Sequence, residues 1–283
     1  MGLAFEAINP DIFPVALELF RSGMDRFHIA GRIYKQFGKK WGVPENELHT
    51  AMIDLSISEA ESCFESNRFG LTNQGEMEII EIINKLKQKR KIFFSESDFQ
   101  FALAWEIQKY YNNANIRLEY CPHQHMNLYI DIIVELNNKV YPIELKYKTK
   151  TFIGKDGNEK YNLKNQGAQD IGRYDYLKDI QRIEQFSKYI ENYEYGFAIL
   201  LTNDESYWKK DRKGTVDEQF YLLENIIKTG KLKWGKNASE GTMKNRNDPI
   251  KLTGEYKIIW NEYSNFNENK NGEFKYCINK IML

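Results

Sequence analysis

Two strand-like segments, residues 128–136 and 140–147, flank the pair Asn137-Asn138, and this pattern strongly constrains the fold. Asparagine tolerates the left-handed backbone of a tight turn, so the segments are predicted to form a hairpin with a two-residue turn. The register that follows sets Asp131 opposite Glu144. Because side chains alternate between the faces of a strand, Asp131, Glu144 and Lys146 share one face, and the apolar side chains of both strands share the other.

Two carboxylates and one ammonium group on one face suit metal-dependent hydrolysis of a phosphodiester bond. Adjacent carboxylates repel each other and bind a hard divalent cation such as Mg²⁺, with Mn²⁺ as a substitute. A lysine beside the ion can orient or deprotonate an attacking water and stabilise charge on phosphorus. The alternative is a solvated face on which these side chains form cross-strand ion pairs, each worth less than about 1 kcal/mol.

The sequence around these residues resembles the PD-(D/E)xK nuclease superfamily, which includes restriction endonucleases, Holliday-junction resolvases and phage exonucleases. The superfamily pattern is an acidic helix, a strand with Asp, a hairpin, a strand with Glu-x-Lys, and a further helix. Here Asp131 and Ile143-Glu144-Leu145-Lys146 match the two strands, with Ile130 in place of proline. The resemblance covers about residues 95–205. It implies an α/β fold with a restriction-endonuclease-like mixed β-sheet flanked by helices.

The resemblance further implies a Mg²⁺-dependent DNA endonuclease that acts in restriction, defence or repair. Asp131 and Glu144 would hold the metal ion, and Lys146 would position the attacking water. Many members of the superfamily cut as dimers, so duplex DNA as the substrate and a homodimer are implied as well.

Two helices beside the hairpin add candidate site residues. The helix predicted over residues 95–111 offers Glu96 as a further metal ligand, with Glu106 as the alternative; Glu96 would equally complement the helix dipole. In the superfamily, a Gln or a basic residue near the start of the next helix supports the site or contacts the scissile phosphate. Gln169 and Arg173 are therefore candidates; the alternative is that they are exposed to solvent or form an ion pair, such as Asp170 with Arg173.

Local basic patches must carry any contact with nucleic acid, because 40 Lys and Arg residues balance 40 Asp and Glu residues in the chain. Lys148 and Lys150 follow the Glu-x-Lys strand directly and are, with Arg173, the predicted nucleic-acid ligands. A second basic stretch, residues 228–257, interleaves with aromatic residues. It fits either a surface that stacks on bases or a solvated loop over core aromatics.

The chain is predicted to divide near residue 92. Residues 1–91 form a mostly helical region, with an extended segment and turn at residues 68–75; a winged-helix-like, DNA-binding module and a plain helical packing domain both fit. The nuclease domain is predicted to comprise residues 92–283. Outside the hairpin it is expected to contain the following elements: helices over 168–191 and 218–228, and strands over 116–120, 195–202, 256–260 and 274–281.

The composition favours a soluble, cytoplasmic protein with no membrane partner. No segment approaches the roughly 20 apolar residues that span a bilayer, and the N-terminus lacks the features of a signal peptide. Cys63, Cys121 and Cys277 lie far apart, which argues against a disulfide framework. The pair His123 and His125 has no further ligand at metal-like spacing other than Cys121, so a loop is favoured there over a metal site.

Two other functions fit the same residues. One is a nucleic-acid-binding module of the same fold that does not cleave, although the complete Asp, Glu and Lys set argues against it. The other is a structural or partner-binding protein whose hairpin charges are surface ion pairs.

Overall fold

A computed structural model describes residues 12–37, 54, 56–58, 60–61, 77–122, 128–209 and 213–282. The chain divides into two compact units, Met1–Glu76 and Met77–Leu283. The second unit combines a six-stranded mixed sheet with helices, which confirms the predicted α/β class.

The described part of the first unit is helical, apart from a turn at residues 22–25. Helices α1 (Ile12–Arg21) and α2 (Arg26–Phe37) are joined through Gly23, whose φ of +85° glycine adopts without steric penalty. Its core consists of the following buried residues: Ile12, Ala16, Phe20, Ile29, Ile33, Ile57 and Ala60. The segment at 68–75, on which the winged-helix-like interpretation depends, lies outside the described residues.

The central sheet of the second unit has the strand order β1-β2-β3-β6-β10-β9. The bounds of these strands are Asn115–Tyr120 (β1), Ile130–Leu136 (β2), Lys139–Lys148 (β3), Gly196–Thr202 (β6), Trp260–Asn265 (β9) and Glu273–Ile281 (β10). Strands β3 and β6 run parallel, and all other neighbours are antiparallel. A parallel pair needs a crossover connection, which contains helix α5 (Gln169–Phe186).

The hairpin of β2 and β3 has the predicted register. Ile132 pairs with Ile143, and Val134 pairs with Tyr141. Asn137 and Asn138 have φ values of +52° and +61°, in the left-handed region that a two-residue hairpin turn of type I′ requires. The turn chemistry and the alternation of apolar residues therefore specify the same pairing, which is why the sequence predicted it.

Helices cover both faces of the sheet. Helices α3 (Ile79–Lys89) and α4 (Glu96–Tyr110) pack on one face, where Leu103 shares a core with the apolar residues of β3. Helix α5 packs on the other face, where Ile180 contacts the core around Leu200. Strand β6 confirms the strand predicted over 195–202, and it is buried along its whole length, as expected of an apolar strand covered on both faces.

Helix α3 belongs to the second unit, although the sequence had assigned it to the N-terminal region. Its buried residues Ile82 and Ile83 lie in the same core as Phe99 of α4. The predicted start of α4 is confirmed, since the Ser95 hydroxyl accepts a hydrogen bond of 3.1 Å from the Asp98 backbone N–H.

Two ribbons outside the central sheet depart from the predicted pattern. Strands β4 (Phe152–Asp156) and β5 (Glu159–Leu163) form one ribbon, and β7 (Ile227–Leu232) and β8 (Ile250–Lys257) form the other. The helix predicted over residues 218–228 was wrong: a 3₁₀ turn covers Glu218–Phe220, and β7 begins soon after it. Helix α6 is the short segment Glu240–Met243.

The aromatic residues of the second basic stretch are core residues. Trp234, Tyr256 and Trp260 are all buried in the core that α5 covers. Their rings therefore do not offer a surface on which bases could stack, and the interpretation as a basic loop over core aromatics is the one that fits.

None of the helices within the described ranges is long and apolar enough to cross a membrane. Cys121 and Cys277 are not joined in a disulfide. Cys63 and the pair His123 and His125 lie outside the described residues.

Candidate active site

Asp131 lies at the start of β2, where this strand separates from β3. Its Oδ2 accepts a hydrogen bond of 2.8 Å from the Leu145 backbone N–H. Backbone pairing between β2 and β3 ends at Ile132 and Ile143, so the side chain takes the place of a further backbone hydrogen bond between the two strands. Gln100 of α4 donates to the Asp131 carbonyl at 2.8 Å and holds the backbone from the other face. The carboxylate is thereby fixed between the two charged residues of the Glu-x-Lys pattern.

Glu144 is fully buried, with 0% of its surface exposed. Its Oε1 accepts a hydrogen bond of 2.9 Å from Arg182 Nη1, and its buried Oε2 has no partner among the described residues. Burial, together with the nearby Asp179 and Asp131, raises the pKa of Glu144 well above its ordinary value. The site thus contains a buried carboxylate oxygen that lacks a compensating group.

Lys146 points into the same cluster, with 15% of its side chain exposed. Its Nζ lies 2.8 Å from Asp179 Oδ2 and donates to the Leu145 carbonyl at 3.2 Å. Burial alone would lower the pKa of Lys146, but Asp179, Asp131 and Glu144 outweigh it and raise this pKa above its ordinary value. Lys146 is therefore a cation at neutral pH.

Glu96, and not Glu106, is the carboxylate that α4 directs toward this cluster. Glu96 Oε2 accepts a hydrogen bond of 2.8 Å from the Tyr147 backbone N–H, next to Lys146. Glu106 is buried elsewhere and pairs with Lys89 of α3. The backbone N–H groups of Leu145 and Tyr147 have no partner on β2 and need other acceptors. The carboxylates of Asp131 and Glu96 accept their hydrogen bonds.

Helix α5 adds two charged residues that the sequence analysis did not identify. Asp179 is fully buried, and Arg182 Nη1 lies 3.2 Å from Asp179 Oδ1 and 2.9 Å from Glu144 Oε1. Burial raises the pKa of Asp179, and the positive charges of Lys146 and Arg182 act against that effect. Their spacing of i and i+3 places both residues on one helix face. No local pattern marks them in the sequence, because other polar residues such as Asp175 and Lys178 lie on the same helix.

The cluster therefore contains four carboxylates and two cations. The carboxylates are Glu96, Asp131, Glu144 and Asp179, and the cations are Lys146 and Arg182. Burial and this excess of negative charge together raise the pKa of Glu144, and a divalent cation would offset the excess charge.

The residues fit a hard metal ion by their chemistry, although they do not form a finished coordination shell. Among the described residues, no group of three or more Asp, Glu, His and Cys side chains is arranged to hold a metal ion. Mg²⁺ needs only one or two protein carboxylates, because waters and substrate phosphate complete its shell. Asp131 and the unpartnered Oε2 of Glu144 meet that requirement.

Gln169, Arg173 and Lys150 lie together at a different place, around a cavity of about 330 Å³ at the start of α5. Asp204 accepts a hydrogen bond of 2.8 Å from Gln169 and pairs with Lys150 Nζ at 3.0 Å. Arg173 is buried, where it pairs with Asp217. Within the described part of the chain, these side chains form no hydrogen bond or ion pair with the carboxylate cluster.

Lys148 is half-buried at the end of β3. It follows Lys146 by two residues, so it projects from the same face of the strand as the cluster.

No protein-family model matches the sequence, and no curated protein matches it.

Proposed function

We propose that the protein is a Mg²⁺-dependent DNA endonuclease that hydrolyses phosphodiester bonds. The observation that carries the proposal is the convergence of Asp131, Glu144 and Lys146 on one face, with Glu96 directed to the same place from α4. Surface ion pairs do not account for this arrangement, because Glu144 is fully buried and its Oε2 has no partner within the described residues.

The order of elements supports a restriction-endonuclease-like fold. A helix with Glu96, a strand with Asp131, a hairpin, a strand with Glu144 and Lys146, and a further helix follow one another along the chain. This is the order that the resemblance to the PD-(D/E)xK superfamily implies. The parallel pairing of β3 with β6 places the Glu-x-Lys strand in the interior of the sheet.

Each residue has a definable part in hydrolysis. Asp131 and Glu144 would bind the metal ion, and Glu96 would add negative charge beside the site. When bound, a divalent ion supplies Lewis acidity and lowers the pKa of a coordinated water. Lys146 is held as a cation by its acidic neighbours, so it orients the attacking water and stabilises charge on the phosphate rather than acting as a base.

DNA would approach along the face from which Lys146 and Lys148 project. Lys150 and Lys148 would hold phosphates beyond the cleaved bond, since phosphate contacts supply most of the non-specific affinity of such proteins. We propose duplex DNA as the substrate, and a homodimer in which each subunit cuts one strand.

One observation favours a second candidate function, a nucleic-acid-binding module without cleavage. Arg182 donates a hydrogen bond to Glu144 Oε1, and Asp179 forms an ion pair with Lys146. Both charged residues of the Glu-x-Lys pattern therefore have partners. A site permanently closed by these ion pairs would bind DNA through Lys148 and Lys150 and leave it intact.

The test is a cleavage assay with purified protein on supercoiled plasmid, a branched duplex and single-stranded DNA, each with Mg²⁺, Mn²⁺ or EDTA. Glu144→Gln and Lys146→Met are the test variants, because both keep the approximate shape of the side chain. Glu135→Gln is the matched control, since Glu135 lies on β2 but pairs with Arg117 outside the cluster.

Metal-dependent cutting that both test variants lose and the control keeps would support the nuclease. DNA binding without cutting, unchanged in Glu144→Gln, would favour the binding module. If neither cutting nor binding occurs on any substrate, both functions are contradicted.

A further inference from the structure

Arg182 makes contacts that a metal ion at this site would also make. Its Nη1 atom lies 2.9 Å from Glu144 Oε1 and 3.2 Å from Asp179 Oδ1, so a single nitrogen bridges two carboxylates from different elements. Among the described residues, this nitrogen makes both ion pairs of Arg182. A positive centre between two carboxylate oxygens is the electrostatic role that a divalent cation has in an acidic site.

The two cations of the cluster differ in how far they can move. Lys146 has 15% of its side chain exposed and is anchored by both Asp179 and the Leu145 carbonyl. Arg182 has 31% of its side chain exposed, so its long side chain can swing into solvent without desolvating another group. Glu144, which it would leave behind, is fully buried and cannot follow it.

Glu144 needs a positive partner whenever it is ionised. A buried carboxylate without a compensating charge is strongly unfavourable, and Asp131 and Asp179 add further repulsion. The described groups that face it are Asp131 from β2, Lys146 from β3, and Asp179 and Arg182 from α5. Of the two cations among them, Arg182 is the one bonded to Glu144.

We propose that Arg182 and a divalent metal ion compete for Glu144, so that Arg182 closes the site until metal binding displaces it. This inference rests on the function proposed above. Arg182 acts here as a gating residue, because its guanidinium supplies positive charge to Glu144 when no metal ion is bound. Once released, the guanidinium lies at the mouth of the cluster, where its planar donors suit a phosphate oxygen of the substrate.

The experiment measures Mn²⁺ binding to the full chain by calorimetry, without DNA, in the wild type, Arg182→Gln, Arg182→Lys and Glu144→Gln. Arg182→Gln removes the competing charge and keeps a hydrogen-bond donor for Glu144. Arg182→Lys keeps the charge and guards against a fold that does not tolerate its loss. Lys178→Met is the matched control, because Lys178 lies on the same helix and its Nζ bonds Gln181 instead of Glu144.

We expect Arg182→Gln to bind Mn²⁺ about tenfold or more tightly than the wild type, because a positive charge next to the ion is removed. Lys178→Met should change the affinity less than about threefold, since its charge lies outside the cluster. Arg182→Lys should bind between the two, because an ammonium group cannot reproduce the bridge that a guanidinium makes. Circular dichroism of each variant confirms that it is folded.

The proposal is overturned if folded Arg182→Gln and Arg182→Lys bind Mn²⁺ with wild-type affinity or more weakly. A different result would overturn the proposed function: Mn²⁺ affinity that is the same in Glu144→Gln and the wild type would show that Glu144 holds no metal. The two failures are therefore distinguishable.

Discussion

The Asp131 carboxylate accepts a hydrogen bond from the Leu145 backbone N–H at 2.8 Å, which places this acid between Glu144 and Lys146 of the neighbouring strand. Hairpin pairing alone would set Asp131 near Glu144. The added bond fixes the rotation of the side chain as well, and a fixed carboxylate loses little entropy when it binds an ion.

Asp131→Asn should remove metal-dependent cleavage while the protein stays folded. The asparagine carbonyl oxygen can still accept from the Leu145 N–H, but the negative charge that would hold the metal ion is lost. We expect the rate to fall by about a hundredfold or more, since a metal ion supplies several kcal/mol of transition-state stabilisation. Initial rates of plasmid cleavage measure the change, and Glu135→Gln on the same strand should keep the wild-type rate.

Glu96→Gln and Glu106→Gln should separate the two carboxylates of α4. Glu96 contacts the Tyr147 N–H inside the cluster, so its loss should lower cleavage by about 10–100-fold and raise the Mg²⁺ concentration needed for half-maximal rate. Glu106 pairs with Lys89 away from the site, so Glu106→Gln should leave the rate unchanged. Equal effects of the two substitutions on the metal dependence would contradict the assignment of Glu96.

The stability of the protein should fall as pH rises above the ordinary pKa of a glutamate, because of Glu144. Its pKa in the folded protein is raised, so the folded state binds more protons than the unfolded state in this range. This contribution to the free energy of unfolding is greatest below the unfolded pKa, and it is lost as pH rises through the folded pKa.

Urea unfolding of the wild type and Glu144→Gln at a series of pH values, without divalent metal, measures this effect. We expect the variant to gain stability relative to the wild type as pH rises toward neutrality. A stability difference that does not vary with pH would show that Glu144 is not held in the environment described here.

Lys228, which lies away from the candidate site, should also make the stability of the protein depend on pH. It is buried in β7, its Nζ donates to the Gln219 carbonyl at 2.8 Å, and burial lowers its pKa to about 8. Between this pKa and the ordinary value, the unfolded state binds more protons, so the wild type gains stability as pH rises. Lys228→Met should therefore stabilise the protein at pH 7 and lose that advantage by pH 10. Thermal unfolding of both proteins at these pH values is the check, and a constant difference would contradict it.

The turn of the hairpin should respond to substitution at Asn138. Asn138→Gly should stabilise the protein by about 0.5–1 kcal/mol, because glycine adopts the observed φ of +61° without strain. Asn138→Val should destabilise it by about 1–2 kcal/mol, because a β-branched residue disfavours the left-handed region. Urea denaturation measures both, and equal stabilities of the two variants would contradict the turn geometry.

Much of the site could be predicted because its residues lie on one hairpin. The alternation along β2 and β3 and the Asn137-Asn138 turn are local properties, and together they specify that Asp131, Glu144 and Lys146 share a face. The choice of Glu96 over Glu106 was also possible, since the face of α4 that carries Glu96 also carries Phe99 and Leu103, which pack toward the sheet.

The prediction of a helix over residues 218–228 was wrong. The chain there follows tertiary contacts and the ribbon of β7 and β8 rather than its local periodicity.

Asp179 and Arg182 could not be found in this way. Each is an ordinary polar residue within a long helix, and only the crossover from β3 to β6 brings that helix across the face that carries Glu144. The same crossover separates Gln169 and Arg173 from the cluster, because they occupy the first turns of α5, beside Asp204 and Asp217.

Backbone propensity and the two-residue period act over short distances, so they were sufficient to predict the α/β class, the hairpin and its register, and the common face of three charged residues. The charges that surround that face, the depth at which Glu144 is buried and its bond to Arg182 follow from the folded chain alone. These properties depend on packing between segments far apart in the chain, and the electrostatic energy of a buried carboxylate is set by the groups that such packing brings near it.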